Sequence, residues 1–292
     1  MKRLAGDSAA GREKILLPYT SRSGIEYAEN FTYVATCVTS GGSQADFGDL
    51  FATGCDCEKE CFDGCICGRD QHGLAHYHPV TRRLRTSRCS YVVRECGAGC
   101  SCASDCSSRL VQHGITIPLQ LYQVEGKGWA VRCASDLPEG TFVCEYAGEL
   151  LSTVESRARF VEYDRKGSNF LLVLREVMGS GSASLRINID ATYYGNAARF
   201  INHSCDGGNL QIELVRIGSN PLPRVAFFTS RGVPAYSELT FAYGDIPVPN
   251  VHKAHQSSNE NGETNNTAGL SHAVCKCGTP ACSGWLPRDE SI

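Results

Sequence analysis

The sequence has no long hydrophobic run. None of its apolar stretches approaches the roughly 18 residues that a membrane-spanning helix needs, so we expect no membrane segment. The N-terminus, MKRLAGDSAAGREK, has basic residues but no apolar stretch after them, so we expect no secretory signal. Positive charge is not in excess either, because 28 Lys+Arg stand against 31 Asp+Glu and give a formal net charge of −3. This balance argues against direct binding to nucleic-acid phosphate.

Cysteine, in contrast, is abundant. The 292 residues include 17 cysteines, and an odd number cannot pair completely within one chain. Many cysteines without an export signal favour a reducing compartment, where thiols hold metal. The hydrophobic content of 42% and the charged content of 20% are typical of a globular protein. Zinc is therefore the first hypothesis for the cysteines.

Nine cysteines form two clusters, Cys-x-Cys-x3-Cys-x3-Cys-x-Cys and, after 28 residues, Cys-x3-Cys-x-Cys-x3-Cys. Two sulfurs on one tight turn would strain a disulfide but can ligate shared or adjacent metals. Nine thiolates supply the twelve ligand positions of three tetrahedral zinc ions if six bind once and three bridge two ions. The alternative is a disulfide-rich module, which the reducing compartment disfavours. The nine are Cys55, Cys57, Cys61, Cys65, Cys67, Cys96, Cys100, Cys102 and Cys106.

Residues 55–106 contain few large apolar residues, so metal is expected to substitute for an ordinary core there. Three histidines between the two cysteine clusters, His72, His76 and His78, are expected to be solvated rather than to bind metal. Cys89 falls outside the symmetric pattern and is left without a metal.

A third cluster is one thiol short of a tetrahedral site, and it consists of Cys275, Cys277 and Cys282. Cys37, Cys133 and Cys144 are candidates for the fourth ligand. Cys133 and Cys144, however, lie in VRCASD and FVCEYAG, which are typical of strands with thiols that face the core. Cys205 lies in FINHSC, a polar turn after an apolar run, and is the better donor.

From residue 115 onward, short runs rich in Leu, Val, Ile, Phe and Tyr alternate with Gly, Pro, Asn and Ser. This texture predicts an all-β-like domain of many short strands. A helix is predicted over Thr153 to Tyr163, where Ser152 or Thr153 can cap and Glu155 lies in the first turn. A second helix is predicted over Tyr193 to Ile201.

Two regions carry no motif. Residues 1–54 are mixed in composition and are expected to pack on the domains C-terminal to them. Residues 250–273 are polar and contain no Phe, Trp or Tyr, which predicts a mobile connection to the last cysteine cluster.

The order of motifs is more specific than any one motif. The nine-cysteine module is followed by GKGWAVR, EYAGE, GNAARFINHSC, ELTFAYGD and CKCGTPAC. This series resembles the SET-domain protein lysine methyltransferases of the suppressor-of-variegation type, in particular the small plant SUVR branch and SETMAR-like proteins. The resemblance implies a mainly β SET-domain fold of short curved sheets with a threaded cofactor segment at 117–244. It also implies a zinc-cluster pre-SET module at 55–106 and a zinc-binding post-SET tail at 275–285.

The activity implied by the resemblance is methyl transfer from S-adenosylmethionine to a lysine of the histone H3 tail, most often lysine nine, on nucleosomes in the nucleus. We expect no sequence-specific DNA binding and no membrane association. About four zinc ions are implied, three in the pre-SET cluster and one in the post-SET site. Thirteen zinc-bound thiolates against four divalent ions would shift the formal charge from −3 to about −8, which suits a basic histone tail.

The resemblance also assigns cofactor residues. By this resemblance, the turn that binds the methionine part of the cofactor contains Lys127, Gly128 and Trp129. The segment that the family threads under a neighbouring loop to complete the pocket corresponds here to Arg199, Phe200, Asn202 and His203. Phe170 belongs to both the cofactor and the catalytic sets, in a strand where the family usually has Tyr-Leu-Phe.

Methyl transfer to lysine requires a neutral amine, which a narrow apolar channel favours and a Tyr hydroxyl can orient. Tyr243 matches the family's catalytic tyrosine. Phe241 matches the position that sets how much room the amine has, and a Phe there predicts di- or trimethyl product because the hydroxyl and its water anchor are missing. Tyr146 and Glu149 in EYAGE are expected to have structural roles, and Trp285 is expected to cover the cofactor and lysine channel.

Three departures from the family pattern leave alternatives open. Phe170 lacks a hydroxyl, Ala242 replaces the usual acidic residue, and the phrase Asp206-Gly-Gly-Asn209 replaces an acidic-Pro-Asn turn. Three functions therefore stay open: a methyltransferase that acts on a histone, a methyltransferase that acts on another protein, and a non-catalytic chromatin-binding module. Tyr243, Asn202, His203 and Cys205 argue against the last alternative.

Overall fold

The structure is a computed structural model in which residues 5–20, 31–43, 54–61, 65, 67–70, 73–85, 92–167, 169–178, 183–244 and 273–287 are described. Cys89, His72 and nearly all of the polar stretch 250–273 lie outside the described residues, so the expectations for them are not addressed by the structure.

The described chain is mainly β, as the sequence predicts. Short strands dominate, and a single α-helix of 14 residues is found among the described residues. That helix is neither long nor apolar enough to cross a membrane. The strands are β1 (Ala5–Asp7), β2 (Pro18–Thr20), β3 (Thr32–Tyr33), β4 (Val93–Glu95), β5 (Leu119–Val124), β6 (Gly128–Cys133), β7 (Phe142–Glu145), β8 (Gly148–Leu150), β9 (Leu171–Met178), β10 (Ala183–Gly195), β11 (Asn202–His203), β12 (Leu210–Ile217), β13 (Arg224–Thr229) and β14 (Thr240–Phe241), and the helix is α1 (Thr153–Lys166).

These strands form small sheets rather than one large sheet. One sheet has the order β1-β2-β5-β6, a second has β3-β10-β8 with β9 also paired to β10, and a third has β4-β12-β13-β7. The short strands β11 and β14 pair in parallel. Large apolar side chains such as Phe227, Leu121 and Ile189 are fully buried in one core that the sheets share. The strands therefore meet around a common interior, as expected for layers that each have one apolar face.

The N-terminal residues supply strands to two of these sheets. β2 pairs in parallel with β5 through Tyr19 and Leu121, and β3 pairs in parallel with β10 through Thr32 and Tyr194. The described part of residues 1–54 is thus integrated into the main fold by backbone hydrogen bonds.

Helix α1 begins and ends where its sequence signals predict. Ser152 is the N-cap: its hydroxyl accepts from the Glu155 N–H, and the Glu155 carboxylate accepts from the Ser152 N–H, which is a capping box. The helix extends one turn beyond the predicted Tyr163 and stops at Gly167, which has a φ of 67°. The predicted helix is confirmed.

Charge fixes α1 to the sheet. Arg159 donates to Glu149 at 2.6 Å and to Asp190 at 2.7 Å, and the Tyr163 hydroxyl donates to Asp190 at 2.7 Å. Both carboxylates are buried, so the paired guanidinium offsets their loss of water. Glu149 therefore has a structural role, as predicted.

The second predicted helix, Tyr193 to Ile201, is wrong. Tyr193 and Gly195 belong to β10, and only Ala197–Phe200 form a single 3-10 turn. Asn196 interrupts the segment because its side chain accepts from the Ala198 N–H and donates to the Glu145 carbonyl. Such side-chain bonds compete with helix formation.

The expectation of solvated loop histidines holds for one of the two that are described. His78 is exposed, and its Nδ1 accepts from the N–H groups of Val80 and Thr81. His76 is buried, with only 6% of its surface exposed, and its neighbour Tyr77 packs with Val93 and Phe228 of the third sheet.

A buried carboxylate joins the cysteine-rich module to the third sheet. β4 pairs in parallel with β12, and Glu95 at its end is 2% exposed. Its oxygens accept from the Tyr77 hydroxyl at 2.8 Å, the Val111 N–H at 2.7 Å and the Gln112 amide at 2.9 Å. The Glu95 carboxylate is therefore satisfied by hydrogen bonds from the protein alone, and these bonds fix the backbone immediately before Cys96.

A buried ion pair links β9 to β12. Arg216 donates to both oxygens of Glu176, at 2.7 and 2.5 Å, and both side chains are about a tenth exposed or less. Two parallel bonds of this kind fix the relative position of the two strands.

We expect Glu176→Ala to lower the free energy of unfolding by about 3–5 kcal/mol, because it leaves the Arg216 charge buried without its partner. The matched control is Glu162→Ala, which breaks the exposed pair between Glu162 and Lys166 and should leave stability unchanged within error. Urea unfolding of the two variants provides the measurement. Equal midpoints for both would contradict the role assigned to the buried pair.

Candidate functional site: two thiol clusters and an aromatic cavity

The nine predicted thiols of residues 55–106 lie together. Seven are buried, Cys57 and Cys67 are partly buried, and none of the described cysteines forms a disulfide. The sulfur atoms of Cys55 and Cys61 lie 3.5 Å apart, and those of Cys61 and Cys96 lie 3.4 Å apart. Clustered free thiols without disulfides have the chemistry of a zinc site.

Three sets of four sulfurs each lie within 4.8 Å of one another. Cys55 belongs to all three sets, and Cys61 and Cys96 belong to two sets each. The sets are Cys55, Cys61, Cys96 and Cys102; Cys55, Cys57, Cys61 and Cys65; and Cys55, Cys67, Cys96 and Cys100. Sulfurs shared between sets are what a cluster with bridging ligands requires, so the residues fit zinc.

Hydrogen bonds favour a thiolate at the centre of this cluster. Burial raises the pKa of the Cys55 thiol. Hydrogen bonds from the Cys57 N–H and from neighbouring thiols lower it by more than burial raises it, so that the pKa falls to about 6. Burial raises the pKa of the neighbouring Cys61 and Cys96 thiols, so Cys55 ionises before these two, and metal binding would have to deprotonate the others.

Arg109 supplies positive charge beside the same cluster. Its guanidinium donates to the carbonyls of Cys96 and Gly97 and to the Cys102 sulfur, at 3.3, 2.9 and 3.5 Å. A buried cation at this distance stabilises neighbouring thiolates.

The split site also forms. The sulfurs of Cys205 and of the three C-terminal cysteines lie within 4.8 Å of one another, and Cys205 is 3.7 Å from Cys275. Hydrogen bonds from the hydroxyl and N–H of Thr279 lower the pKa of Cys277 to about 5. The four thiols therefore also fit zinc. They are Cys205, Cys275, Cys277 and Cys282.

The rejected candidates for the fourth ligand lie elsewhere. Cys133 on β6 and Cys144 on β7 are fully buried in the apolar core, as predicted, and Cys37 donates to the Tyr146 carbonyl.

The chain segment after β10 passes under the segment that ends in β14. β11 pairs in parallel with β14, so that Asn202 lies opposite Thr240 and His203 opposite Phe241. The Asn209 side chain donates to the Glu238 carbonyl at 2.8 Å and accepts from the Thr240 N–H at 3.0 Å.

The unusual Asp206-Gly-Gly-Asn209 phrase makes this crossing close. The Asp206 carboxylate accepts from the Ser204 hydroxyl and the Gly208 N–H, which forms the turn. At Gly208 a Cβ atom would lie 2.3 Å from the Thr240 carbonyl oxygen, so only glycine fits.

A cavity of about 400 Å³ opens beside this crossing. Seven of its ten lining residues are among those proposed from the sequence: Lys127, Trp129, Phe170, Arg199, Phe200, Asn202 and Tyr243. Three were not anticipated, namely Phe31, Thr192 and Tyr193. The only sequence signal for Thr192 and Tyr193 is their place in the apolar run before Gly195, and Phe31 carries none, because it comes from the uninterpreted N-terminal region.

The remaining three proposed residues do not line the cavity. Gly128 sits in the turn beside Lys127 with a φ of 86°, and nothing lies within 4 Å of where its Cβ would be. Phe241 and His203 lie behind Tyr243, as its ring distances of 4.8 and 5.3 Å show. Burial lowers the pKa of His203, which favours a neutral ring.

Glu238 connects two cavity residues that are far apart in sequence. Its carboxylate pairs with the Lys127 ammonium at 3.0 Å and accepts from the Asn202 amide at 2.9 Å. Asn202 also approaches the Trp129 carbonyl at 3.3 Å. Glu238 was missed by sequence reasoning, although it stands at the start of the ELTFAYGD motif. It holds the Lys127 turn against the threaded segment.

Arg199 is held among aromatic rings. Its guanidinium carbon lies 4.0 Å from the centre of the Phe170 ring, 4.3 Å from Phe31 and 4.8 Å from Phe200, and its Nε donates to the Ala191 carbonyl. Three rings around one cation form a rigid wall through cation–π attraction. Phe170, which lacks a hydroxyl as the sequence shows, thus contributes a ring face to the wall.

Two tyrosine hydroxyls are fixed near the cavity. The Tyr243 hydroxyl donates to the Ile201 carbonyl at 2.7 Å, and burial raises its pKa above the ordinary value. The Tyr146 hydroxyl donates to the Phe170 carbonyl at 2.7 Å, which is a structural role, as predicted. Trp285 is half exposed and does not line the cavity.

Together the walls are mainly aromatic. The Lys127 ammonium and the Asn202 amide lie on the side of the Lys127 turn, and the Arg199 guanidinium lies among the rings. Apolar area with few polar groups is typical of sites for organic cofactors. S-adenosylmethionine combines an aromatic base, a sulfonium and an amino acid carboxylate, and the residues present fit that combination.

Comparisons with known proteins agree with this architecture. The sequence matches the SET domain family over residues 128–244 and the Pre-SET motif over residues 9–109. It is 41% identical to histone-lysine N-methyltransferase SUVR3 of Arabidopsis thaliana, over 98% of this chain and 81% of that protein. It is 38% identical to histone-lysine N-methyltransferase Su(var)3-9 of Drosophila melanogaster, over 77% of this chain and 36% of that protein.

Solved structures match as well. The methyltransferase domain of human histone-lysine N-methyltransferase SETMAR superposes with a TM-score of 0.76 at 30% identity, over 99% of both chains. KRYPTONITE, in complex with mCHH DNA, an H3(1-15) peptide and SAH, superposes with a TM-score of 0.74 at 28% identity, over 97% of this chain and 54% of that chain. The chain belongs to the SET-domain histone-lysine N-methyltransferases of the suppressor-of-variegation type, enzymes that depend on S-adenosylmethionine.

Proposed function

We propose that this enzyme methylates the histone H3 tail at lysine nine, that it proceeds to the di- or trimethyl state, and that it acts on nucleosomes in the nucleus. The observation that carries the proposal is the position of Tyr243, whose hydroxyl is fixed at the wall of an aromatic cavity by the Ile201 carbonyl. The net charge of −3 becomes more negative when thiolates bind zinc, which suits a basic tail.

For the target, support comes from the relatives. KRYPTONITE binds an H3(1-15) peptide in the matching structure, and we extend that preference to this chain. The KRYPTONITE structure also contains DNA, and the present chain covers 54% of the KRYPTONITE chain. Because the sequence here has no basic excess, we propose no sequence-specific DNA contact for it.

We propose that the cofactor occupies the described cavity. The Lys127 ammonium would bind the carboxylate of its methionine part, and the open backbone at Gly128 would let the cofactor approach closely. Asn202 would close the side of the Lys127 turn through its bond to Glu238, and Phe200 would contribute a ring from the threaded segment, with Arg199 and its rings as a rigid support. When bound, S-adenosylmethionine supplies a methyl group on a positively charged sulfur.

The protein's own residues prepare the acceptor. Aromatic walls exclude water and disfavour the charged ammonium, so the substrate lysine is held as the free amine. The hydrogen of the Tyr243 hydroxyl is committed to the Ile201 carbonyl, so its oxygen lone pairs are available to accept from the amine N–H. Its raised pKa keeps Tyr243 protonated, so Tyr243 orients the amine and does not act as a base.

The proposed function is tested by transfer of labelled methyl to H3 peptides that carry either Lys or Arg at position nine. We expect transfer to the Lys peptide alone, and a loss in kcat of about 100-fold or more in Tyr243→Phe, because orientation by the hydroxyl is lost. Cofactor affinity, measured by calorimetry, should hardly change in this variant. Equal labelling of both peptides would disprove lysine nine, and labelling of neither would point to a non-histone substrate.

Product state is a separate prediction. Phe241 packs between Phe227 and Tyr243, with ring centres 4.8 Å from each. Phe241→Tyr adds a hydroxyl that can anchor a water beside the amine, so we expect product to stop at monomethyl-lysine while the first transfer keeps its rate within about threefold. The measurement is the mass spectrum of the peptide after methylation has gone to completion, for the unsubstituted enzyme and for Phe241→Tyr. Monomethyl product from the unsubstituted enzyme would refute the proposed role of Phe241.

We propose four zinc ions per chain. In the module at 55–106, Cys55, Cys61 and Cys96 would bridge and the other six thiols would bind once, which satisfies three ions. The fourth ion belongs to the split site. Elemental analysis should find about four zincs, and Cys205→Ser should lose one. Cys37→Ser should lose none, because the Cys37 thiol lies apart from the clustered thiols and donates to the Tyr146 carbonyl, whereas Cys106 is in no set of four but is buried within the cluster. A content near one would overturn this assignment.

A further inference from the structure

We infer that His203 is a positioning residue that connects the split thiol site to Tyr243 through the two nitrogens of one imidazole ring. The inference rests on the proposed function, because it assigns Tyr243 the orienting role described above. The sequence resemblance places His203 at the cofactor. In the structure its side chain is 6% exposed and does not line the cavity.

The two ring nitrogens have different partners. Nδ1 accepts a hydrogen bond from the backbone N–H of Tyr243 at 3.1 Å, and Nε2 lies 3.2 Å from the sulfur of Cys205. A backbone N–H can only donate, so Nδ1 carries no proton. A neutral imidazole has one donor and one acceptor, so the proton is on Nε2 and points at the sulfur.

That tautomer suits a zinc-bound thiolate. The sulfur of a metal-bound cysteine is negatively charged and accepts hydrogen bonds, and such bonds hold the ligand in place. Three of the four thiols at this site come from residues 275–282, whereas Cys205 comes from the threaded segment. The Nε2–H bond therefore fixes the one ligand that the threaded segment contributes.

Tyr243 needs a support of this kind. The parallel ladder between β11 and β14 ends at Phe241, whose carbonyl accepts from the Ser204 N–H. Tyr243 lies two residues beyond the ladder, and its backbone N–H is held by the His203 side chain. The ring thus extends the pairing by one bond and sets where the Tyr243 hydroxyl points. Zinc at the split site would fix the Cys205 sulfur, the sulfur would fix the ring, and the ring would fix Tyr243.

Two substitutions separate the two bonds. The amide of Asn reaches the place of Nδ1 and the amide of Gln reaches the place of Nε2. His203→Asn therefore keeps the acceptor for Tyr243 and loses the donor to Cys205, whereas His203→Gln keeps the donor and loses the acceptor. Each variant retains one of the two bonds, so each serves as the folding control of the other, checked by circular dichroism.

The first readout is release of zinc from the full chain to a chromophoric chelator, without substrate. We expect His203→Asn to release one zinc per chain at a chelator concentration about 10–100-fold lower than the unsubstituted protein, since outer contacts contribute that much to metal affinity. His203→Gln should release it at about the original concentration.

The second readout is steady-state methyl transfer with zinc present. We expect His203→Gln to lower kcat about tenfold with little change in the KM for peptide, because Tyr243 is misplaced while the binding surfaces remain. The proposal is overturned if both variants hold zinc and turn over like the unsubstituted enzyme, or if both lose the same zinc. Because zinc release needs no peptide, a wrong choice of histone substrate would leave the first readout intact and would show itself as inactivity of the unsubstituted enzyme.

Discussion

The parallel pairing of β11 with β14 is the constraint on which the site depends. It brings a segment near residue 202 against one near residue 240, and the Asn209 side chain completes the contact with two hydrogen bonds to the second segment. Only glycine at position 208 allows the backbones to approach so closely. Once the two segments meet, Asn202 and Tyr243 line one cavity and Glu238 holds Asn202 by a hydrogen bond. Cys205 lies with the last three cysteines.

Charged groups hold the surrounding elements in register with this crossing. Arg159 bridges Glu149 and Asp190, and Arg216 binds Glu176 through two parallel bonds. The three carboxylates and Arg216 are buried, so losing a partner would leave a charge without solvent. These bonds fix helix α1 on β8 and β10, and β9 on β12. The small sheets have little area of their own, and such contacts fix their mutual positions where apolar packing alone would tolerate sliding.

Clustered free thiols, which fit zinc, take the place of such ion pairs in the two cysteine-rich regions. Residues 54–61 and 92–106 bury mostly sulfur, and Glu95 attaches their cluster to the third sheet. The split site lies close to Tyr243, because the His203 ring contacts both the Cys205 sulfur and the Tyr243 backbone N–H. Under the proposed zinc assignment, bound metal would supply local order in both regions, since thiolates without metal repel one another.

Features that depend on neighbours along the chain could be predicted from the amino-acid order alone. The cysteine spacing indicated which thiols cluster, Ser152 and Glu155 marked the start of the helix, and alternating apolar runs marked most strands. The motif order also pointed to the cavity wall, because Lys127, Arg199 and Tyr243 stand in recognisable phrases.

Contacts across long separations in the chain were set by the folded arrangement and could not be predicted in this way. Glu238 meets Lys127 across 111 residues, and Phe31 joins the cavity from a region without a motif. The ring of His203 contacts Cys205 and Tyr243 and does not line the aromatic cavity, and Asn196 ended a predicted helix by bonding to Glu145. Local propensity carries no information about such partners. The direction of a side chain is set by the groups that the whole fold places around it.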